Sequence, residues 1–245
     1  MDIEKEVEFF DRFEAEWGEY DVLAESAYTR ILDELARRLH PHPGMACIDL
    51  GCGTGAFTRR LRRFELALTG VDISPRSIER ARQLGGATFV VGDVCHTTAS
   101  SASFDFAVMS GVLHHLPAAR TRVASLREAH RLLRPGGRFF SYDPNGRSPS
   151  MFLYRDPRSP LYSPAGKTEN EILLTKAQLA GELAAAGLTD VRVTGLSGIA
   201  YRYVEGTLAR RLLPLYNLVY ENVMRLPVVQ DVMGTFLIAT GTKRA

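Results

Sequence analysis

The densest chemistry in the chain lies in the run Cys47-Ile48-Asp49-Leu50-Gly51-Cys52-Gly53-Thr54-Gly55. An apolar stretch leads into a glycine-rich turn. Such a turn uses backbone angles that glycine adopts cheaply, and it leaves a ligand room to approach the main chain. A helix opening behind it offers free N–H groups to a negatively charged ligand group. Gly51, Gly53 and Ala56 also satisfy the dinucleotide fingerprint G-x-G-x-x-G/A, and Asp72 stands where an acid accepts hydrogen bonds from ribose hydroxyls. Asp49 is an acid inside an apolar run, and a buried carboxylate is costly unless paired. An ammonium group would pair it, directly or through water. Gly92-Asp93-Val94 ends a further apolar run, a position suited to the edge of an adenine. His114 and His115 follow a fourth run and Asp143 ends a fifth. A histidine on one strand end can meet a carboxylate on the next, an arrangement suited to moving protons.

These groups need a scaffold. From Met45 onward short apolar runs alternate with helical stretches. Strands are expected at 45–50, 66–72, 87–91, 104–110 and 138–143. Helices are expected at 56–64, at 75–84 with Ser74 as cap and Pro75 in its first turn, and from about 118 to 133, closed by Pro135, Gly136 and Gly137. Strands alternating with helices imply a doubly wound α/β fold, a parallel sheet covered on both faces. Ligands bind such sheets at the carboxyl edge, where the glycine turn, Asp72, Asp93 and both histidines fall. Residues 1–44 read as a helical lid, with Phe9, Phe10, Phe13 and Trp17 at helical spacing and Ile31, Leu32, Leu35 and Leu39 in a second segment. A helix at 175–186 and strands at 189–194 and 235–242 complete one domain, 1–245. The proline-rich stretch 144–174 and the helical stretch 195–234 are read as cap insertions over the site.

The segments IDLGCGTG, GVDIS, VGDV, FDFAVMSGVLHHL and RLLRPGG follow one another in this order. Together they resemble the class I S-adenosylmethionine-dependent methyltransferases. The resemblance is strong over residues 45–143, faint over 175–194 and 235–242, and absent elsewhere. It implies a seven-stranded Rossmann-like sheet of order 3-2-1-4-5-7-6 with strand seven antiparallel. It also implies S-adenosylmethionine as cofactor and S-adenosylhomocysteine as product. Carried over residue by residue, Asp49 goes to the methionine end and Gly51, Gly53 and Gly55 to close backbone approach, with Cys52 between them also expected at the cofactor. Asp72 and Ile73 go to the ribose, Asp93 and Val94 to the adenine, and Ser110 lies beside the reacting sulfonium. Many relatives close the site with an N-terminal helix and a tyrosine; Tyr20 is taken for that role, and Tyr28 competes for it.

Methyl transfer is an in-line displacement, so positioning can supply much of the rate. An alcohol or phenol acceptor also benefits from a base. One of His114 and His115 is expected to serve, with Asp143 as its partner. The plainer alternative is that these histidines cap the helix beginning near Pro117 or hold the cofactor without moving protons. His96, His114 and His115 have no ligand spacing, so no metal is expected.

The composition is that of an ordinary globular protein, 45% hydrophobic and 24% charged, and the net charge of +2 points to no nucleic acid. Three cysteines without a spaced framework argue against a secreted disulfide scaffold. The acidic N-terminus does not read as a signal peptide, and no stretch approaches the ~18 apolar residues of a membrane span. The cytoplasm is the expected compartment. Aromatic side chains of the caps (Phe152, Tyr154, Tyr162, Tyr201, Tyr203, Tyr216, Tyr220), with Arg147, Arg155, Arg158 and Arg202, suit a small-molecule acceptor that is aromatic, glycosylated or lipid-like. Residues 207–229 could contact a membrane surface peripherally, but Pro214 and Pro227 interrupt the pattern, and a cap packed on the domain is the favoured expectation. The expected activity is O-methylation of a hydroxyl in natural-product, glycoside or lipid tailoring. Three alternatives stand beside it: C-methylation of a quinone-like or prenyl acceptor, an NAD(P)-dependent oxidoreductase, and a protein that holds the cofactor without transferring its methyl.

Overall fold

Strand alternation gives this chain two cores, one on each face of a sheet. Cys47, Val108 and Phe140 pack on one face, while their neighbours Ile48, Ala107 and Phe139 pack on the other. In chain order the elements of the computed structural model are α1 (Glu25–Leu39), β1 (Ala46–Leu50), α2 (Ala56–Arg60) with a 3-10 turn (Leu61–Phe64), β2 (Ala67–Asp72), α3 (Pro75–Leu84), β3 (Thr88–Val91), β4 (Phe104–Ser110), a 3-10 turn (Leu113–His115), α4 (Ala119–Leu132), β5 (Leu133–Pro144), α5 (Pro149–Arg155), α6 (Lys176–Ala185), β6 (Thr189–Leu196), α7 (Thr207–Leu215), a π turn (Tyr216–Tyr220), the short α8 (Glu221–Val223), α9 (Pro227–Met233) and β7 (Phe236–Thr242). The structure describes residues 8, 23–163, 171–202, 204 and 206–245. The expected helix carrying Phe9, Phe10, Phe13 and Trp17 lies outside the described residues, as do Tyr20 and Tyr203.

The sheet order is β3-β2-β1-β4-β5-β7-β6, as expected, with β7 antiparallel to both of its neighbours. α1 lays Ile31, Leu35 and Leu39 on one face; α4 and α6 lay Leu126, Leu132, Leu179 and Leu183 on the other. The α4–α6 contact also carries an ion pair: Arg122, 3% exposed, donates to Glu182 at 2.5 and 2.8 Å. α3 starts as its sequence suggests, with Pro75 in the first turn and Ser74 Oγ accepting from the Ser77 N–H at 3.1 Å. α6 starts with a reciprocal capping box between Thr175 and Gln178.

Four boundaries differ from the expectations. The helix after the glycine turn tightens to 3-10 geometry from Leu61. β5 begins at Leu133, not Arg138, because the Gly136 N–H donates to Lys243 O at 2.8 Å and the Lys243 N–H to Gly137 O at 2.9 Å. The glycines thus end the helix and still join the sheet. The proline-rich stretch contains α5, with Pro149 in its first turn, where proline leaves no helical hydrogen bond unmade. The stretch 195–234 is divided into α7, the π turn, α8 and α9, with Pro214 inside α7 and Pro227 opening α9. No helix among the described residues is long and apolar enough to cross a membrane.

Candidate active site

The carboxyl ends of β1, β2, β3 and β4 open onto a cavity of about 470 Å³, within the usual range of small-molecule sites, roughly 300–1,000 Å³. Gly51, Cys52, Gly53, Asp72, Ile73, Asp93, Val94, Ser110, His114 and His115 line it. Asp49, Gly55 and Asp143 stand behind the lining, and Tyr20 is outside the described residues.

The three glycines of the turn have different reasons. Gly51 has φ +79°, and a Cβ there would meet Val112 Cγ2 at 2.5 Å. Gly55 has φ +80°, and a Cβ would meet Phe89 Cζ at 2.7 Å. Both are required by the protein's own packing. Only Gly53, with φ +52°, has nothing within 4 Å of a Cβ position, so it is the glycine that leaves space for a ligand. Asp72 holds this turn: its Oδ2 accepts from the Gly53 N–H at 2.8 Å and its Oδ1 from the Ser74 N–H at 2.9 Å. Asp93 closes the next turn in the same manner, accepting from the Cys95 N–H at 2.8 Å.

Asp49 is fully buried at the end of β1. Thr58 Oγ1, on α2, donates to its Oδ2 at 2.7 Å, and its Oδ1 makes no hydrogen bond of normal geometry. Burial pushes this carboxyl up from 3.8 to about 7, with repulsion from Asp72 adding and the hydroxyls of Thr58 and Ser110 opposing. Burial, reinforced by Asp72 and Asp49, also raises the Cys52 thiol well above its ordinary value. A buried acceptor oxygen with no partner behind a glycine turn calls for a donor. The lining fits a nucleoside whose other end carries an ammonium group: Asp72 and Asp93 offer acceptors, Gly53 offers space, and Asp49 offers a counter-charge.

At the other side of the cavity the 3-10 turn Leu113–His115 carries both histidines. His114 Nδ1 lies 3.0 Å from Asp143 Oδ1, and the same oxygen accepts from the His114 backbone N–H at 3.1 Å. Asp143 is fully buried and its Oδ2 has no hydrogen-bond partner. With Nδ1–H donating to this carboxylate, the imidazole keeps its lone pair on Nε2. The His115 ring lies against that of His114, tilted by 42° with centroids 4.0 Å apart. α4 opens at Ala118, whose own side chain makes no cap hydrogen bond.

Several lining residues were not singled out from the sequence. Phe57, Tyr142 and Phe236 form an aromatic wall, with ring centroids 5.3 and 5.6 Å apart along the row. Tyr142 is legible in hindsight, since alternation must put it on the face opposite Asp143. Tyr28, the competitor of Tyr20, lines the cavity beneath the Arg60 guanidinium, 3.8 Å above its ring. Thr58 gave no signal, because a hydroxyl on a helix is at home facing either the core or solvent. Of the cap arginines Arg155 lines the cavity, with Nε 3.8 Å from Glu171 Oε1, whereas Arg158 pairs with Asp156 at the surface. Met151 and Tyr201 complete the cap side.

Comparison with known proteins gives the following likenesses. The methyltransferase domain family matches residues 48–141. An uncharacterized methyltransferase of Synechocystis is 31% identical over 151 residues, covering 61% of this chain and 69% of that protein. The 27-O-demethylrifamycin SV methyltransferase of Amycolatopsis mediterranei is 33% identical over 130 residues, covering 50% of this chain and 47% of that one. Among solved structures, a SAM-dependent methyltransferase of Thermotoga maritima, described as a possible histamine N-methyltransferase, superposes with TM-score 0.68 at 20% identity, covering 98% of this chain and 99% of that one. The matches to several curated relatives span about half of those proteins' length.

Proposed function

The chain belongs to the class I S-adenosylmethionine-dependent methyltransferases, and from that premise we propose that it methylates a hydroxyl oxygen of a small-molecule acceptor, with His114 as the base. Membership sets aside the nicotinamide alternative that Gly51, Gly53 and Ala56 left open. The observation that carries the proposal is the His114–Asp143 pair at the cavity wall. An oxygen acceptor must lose a proton, and this pair can take it; a nucleophile that has no proton to lose needs no such device.

The roles of the chain's residues follow. When bound, S-adenosylmethionine supplies an electrophilic methyl on a sulfonium. Asp72 and Ile73 hold the ribose, Asp93 and Val94 the adenine, and Gly53 leaves space for the amino-acid end. Asp49 would neutralise the ammonium group and would be ionised in doing so. Gly51, Cys52 and Gly55 shape the turn. Ser110 stands between the Asp49 side and the histidine side. Asp143 fixes the His114 ring, and Nε2 accepts the hydroxyl proton. The aromatic wall excludes water, and Tyr28 closes the near side. Residues 144–174 and 195–234 act as the acceptor cap, with Arg155 directed to a polar or anionic group of the acceptor. The likeness to the enzyme acting on 27-O-demethylrifamycin SV supports a small-molecule acceptor.

The test is an acceptor panel of alcohols, phenols, hydroxy acids and quinols, with S-adenosylhomocysteine formation and the methylated atom both determined. Methylation at oxygen is the expected result. Methylation at carbon would move the chain to the quinone-like or prenyl alternative. Cofactor binding with no transfer across the panel would move it to the non-methylating one.

A further inference from the structure

We infer that the outer face of residues 207–233 is a docking surface for an anionic lipid bilayer. The inference rests on this surface alone and is independent of the acceptor. On its inner side the segment is anchored: Ala209 and Tyr216 are buried beside Tyr154 and Val204, and the Tyr154 and Tyr216 rings meet edge-on at 5.0 Å. Asn217 adds a reciprocal pair of hydrogen bonds to the Tyr201 backbone at 3.1 and 3.0 Å. The outer side is the reverse of what a packed cap requires. Leu208, Leu212 and Leu215 recur at i, i+4 and i+7, hence on one stripe of α7, and all three are exposed. Within the π turn Leu218 is 70% exposed, and beyond it Leu226 is 59% and Val228 81% exposed. The other large apolar side chains described as exposed are scattered (Ile73, Leu84, Val91, Phe152, Leu173), as on any surface. A run of exposed leucines and valines in one segment marks a surface that is covered in use.

Charge selects the occupant. Arg210, Arg211 and Arg225 are exposed within the same segment. Its acids are Glu221 and Asp231, and Asp231 is held by Lys176 at 2.7 Å. An apolar stripe flanked by arginines complements the acyl boundary and headgroups of an anionic leaflet. A second copy docked by twofold symmetry would bring this arginine-rich surface against itself. Pro214 and the break before Pro227 make the segment a series of short helices, suited to lying in the interface plane and too short to span it.

Sedimentation of the full chain with vesicles tests this. The chain is expected to bind vesicles of phosphatidylserine and phosphatidylcholine, to bind pure phosphatidylcholine more weakly, and to be released by salt. The double variant Leu215→Asp, Leu218→Asp changes only exposed side chains, so its melting temperature should be unchanged while its partition coefficient falls about tenfold or more. Arg211→Glu should weaken binding to the anionic vesicles selectively. The inference is overturned if the chain stays in the supernatant with anionic vesicles. It is also overturned if the chain is a dimer in the ultracentrifuge that the same double variant dissociates, which would give the face to a second copy.

Discussion

Asp49 and Asp143 are both fully buried carboxylates with one oxygen lacking a partner, yet the chain uses them differently. Asp143 already has its imidazole; Asp49 has no charged partner, only the hydroxyls of Thr58 and Ser110, and is the group proposed to meet the ammonium. Without ligand, Asp49 is held at about 7 against an ordinary 3.8. Between those values the native state keeps a proton that the unfolded chain has released, so stability is fully present below the lower value and is lost as pH rises through the upper one. The melting temperature of the ligand-free chain should therefore fall across this window, and fall less in Asp49→Asn. Binding of S-adenosylhomocysteine, whose ammonium favours the ionised carboxylate, should release a proton in the same window, read by calorimetry in buffers of different ionisation enthalpy. Asp49→Asn should weaken that binding about 10- to 100-fold, the loss of one charged hydrogen bond. The sequence showed Asp49 as an anomaly, an acid in an apolar strand. It left His114 and His115 unordered, because a 3-10 turn has no face to read; the choice came from Asp143, across the strand boundary.

At the scale of elements, the succession of strands and helices was legible because each β–α unit carries its own apolar run and its own stop signal, whereas the sheet order came from the resemblance to the methyltransferases and is the one observed. What could not be read was set by partners distant in sequence. The Arg134-Pro135-Gly136-Gly137 segment looks like a loop locally and is a strand because Lys243 pairs with it. α5 was hidden because its prolines signal breaks, whereas Pro149 opens a helix. The glycine turn gives a paired test of its two functions. Gly51→Ala forces a Cβ into Val112 and should destabilise by about 1–3 kcal/mol in chemical denaturation. Gly53→Ala meets no protein atom and costs only the left-handed backbone, about 1–2 kcal/mol or less, but it should weaken S-adenosylhomocysteine binding more than Gly51→Ala does. Thr175→Ala removes the capping box of α6 and should cost about 1 kcal/mol with no effect on ligand affinity.

Across the whole molecule, one sheet sets the glycine turn with Asp72 and Asp93 on one side of the cavity and the His114–Asp143 pair with the 144–174 insertion on the other, with β4 between them; these are the sides proposed for cofactor and acceptor. The residues proposed for the cofactor were legible as positions, since they sit at fixed offsets from strand ends, and their roles were carried over from the resemblance. The acceptor side was legible only as a pool of cap residues: Arg155 and Tyr201 were in it and line the cavity, but Met151 was not, and which members reach the cavity depends on how the insertions fold on the core beneath them. The expectation of a packed cap holds for its inner side only; outward, its leucines and valines face solvent. The most direct test of the chemistry is the turnover of His114→Ala on a hydroxyl acceptor found in the panel, measured beside its affinity for S-adenosylhomocysteine. The expected result is a fall in kcat of about 10²- to 10⁴-fold, the usual worth of a general base, with affinity kept and Asp143→Asn impaired in the same direction. Full turnover by His114→Ala would contradict the assignment and leave transfer to positioning alone.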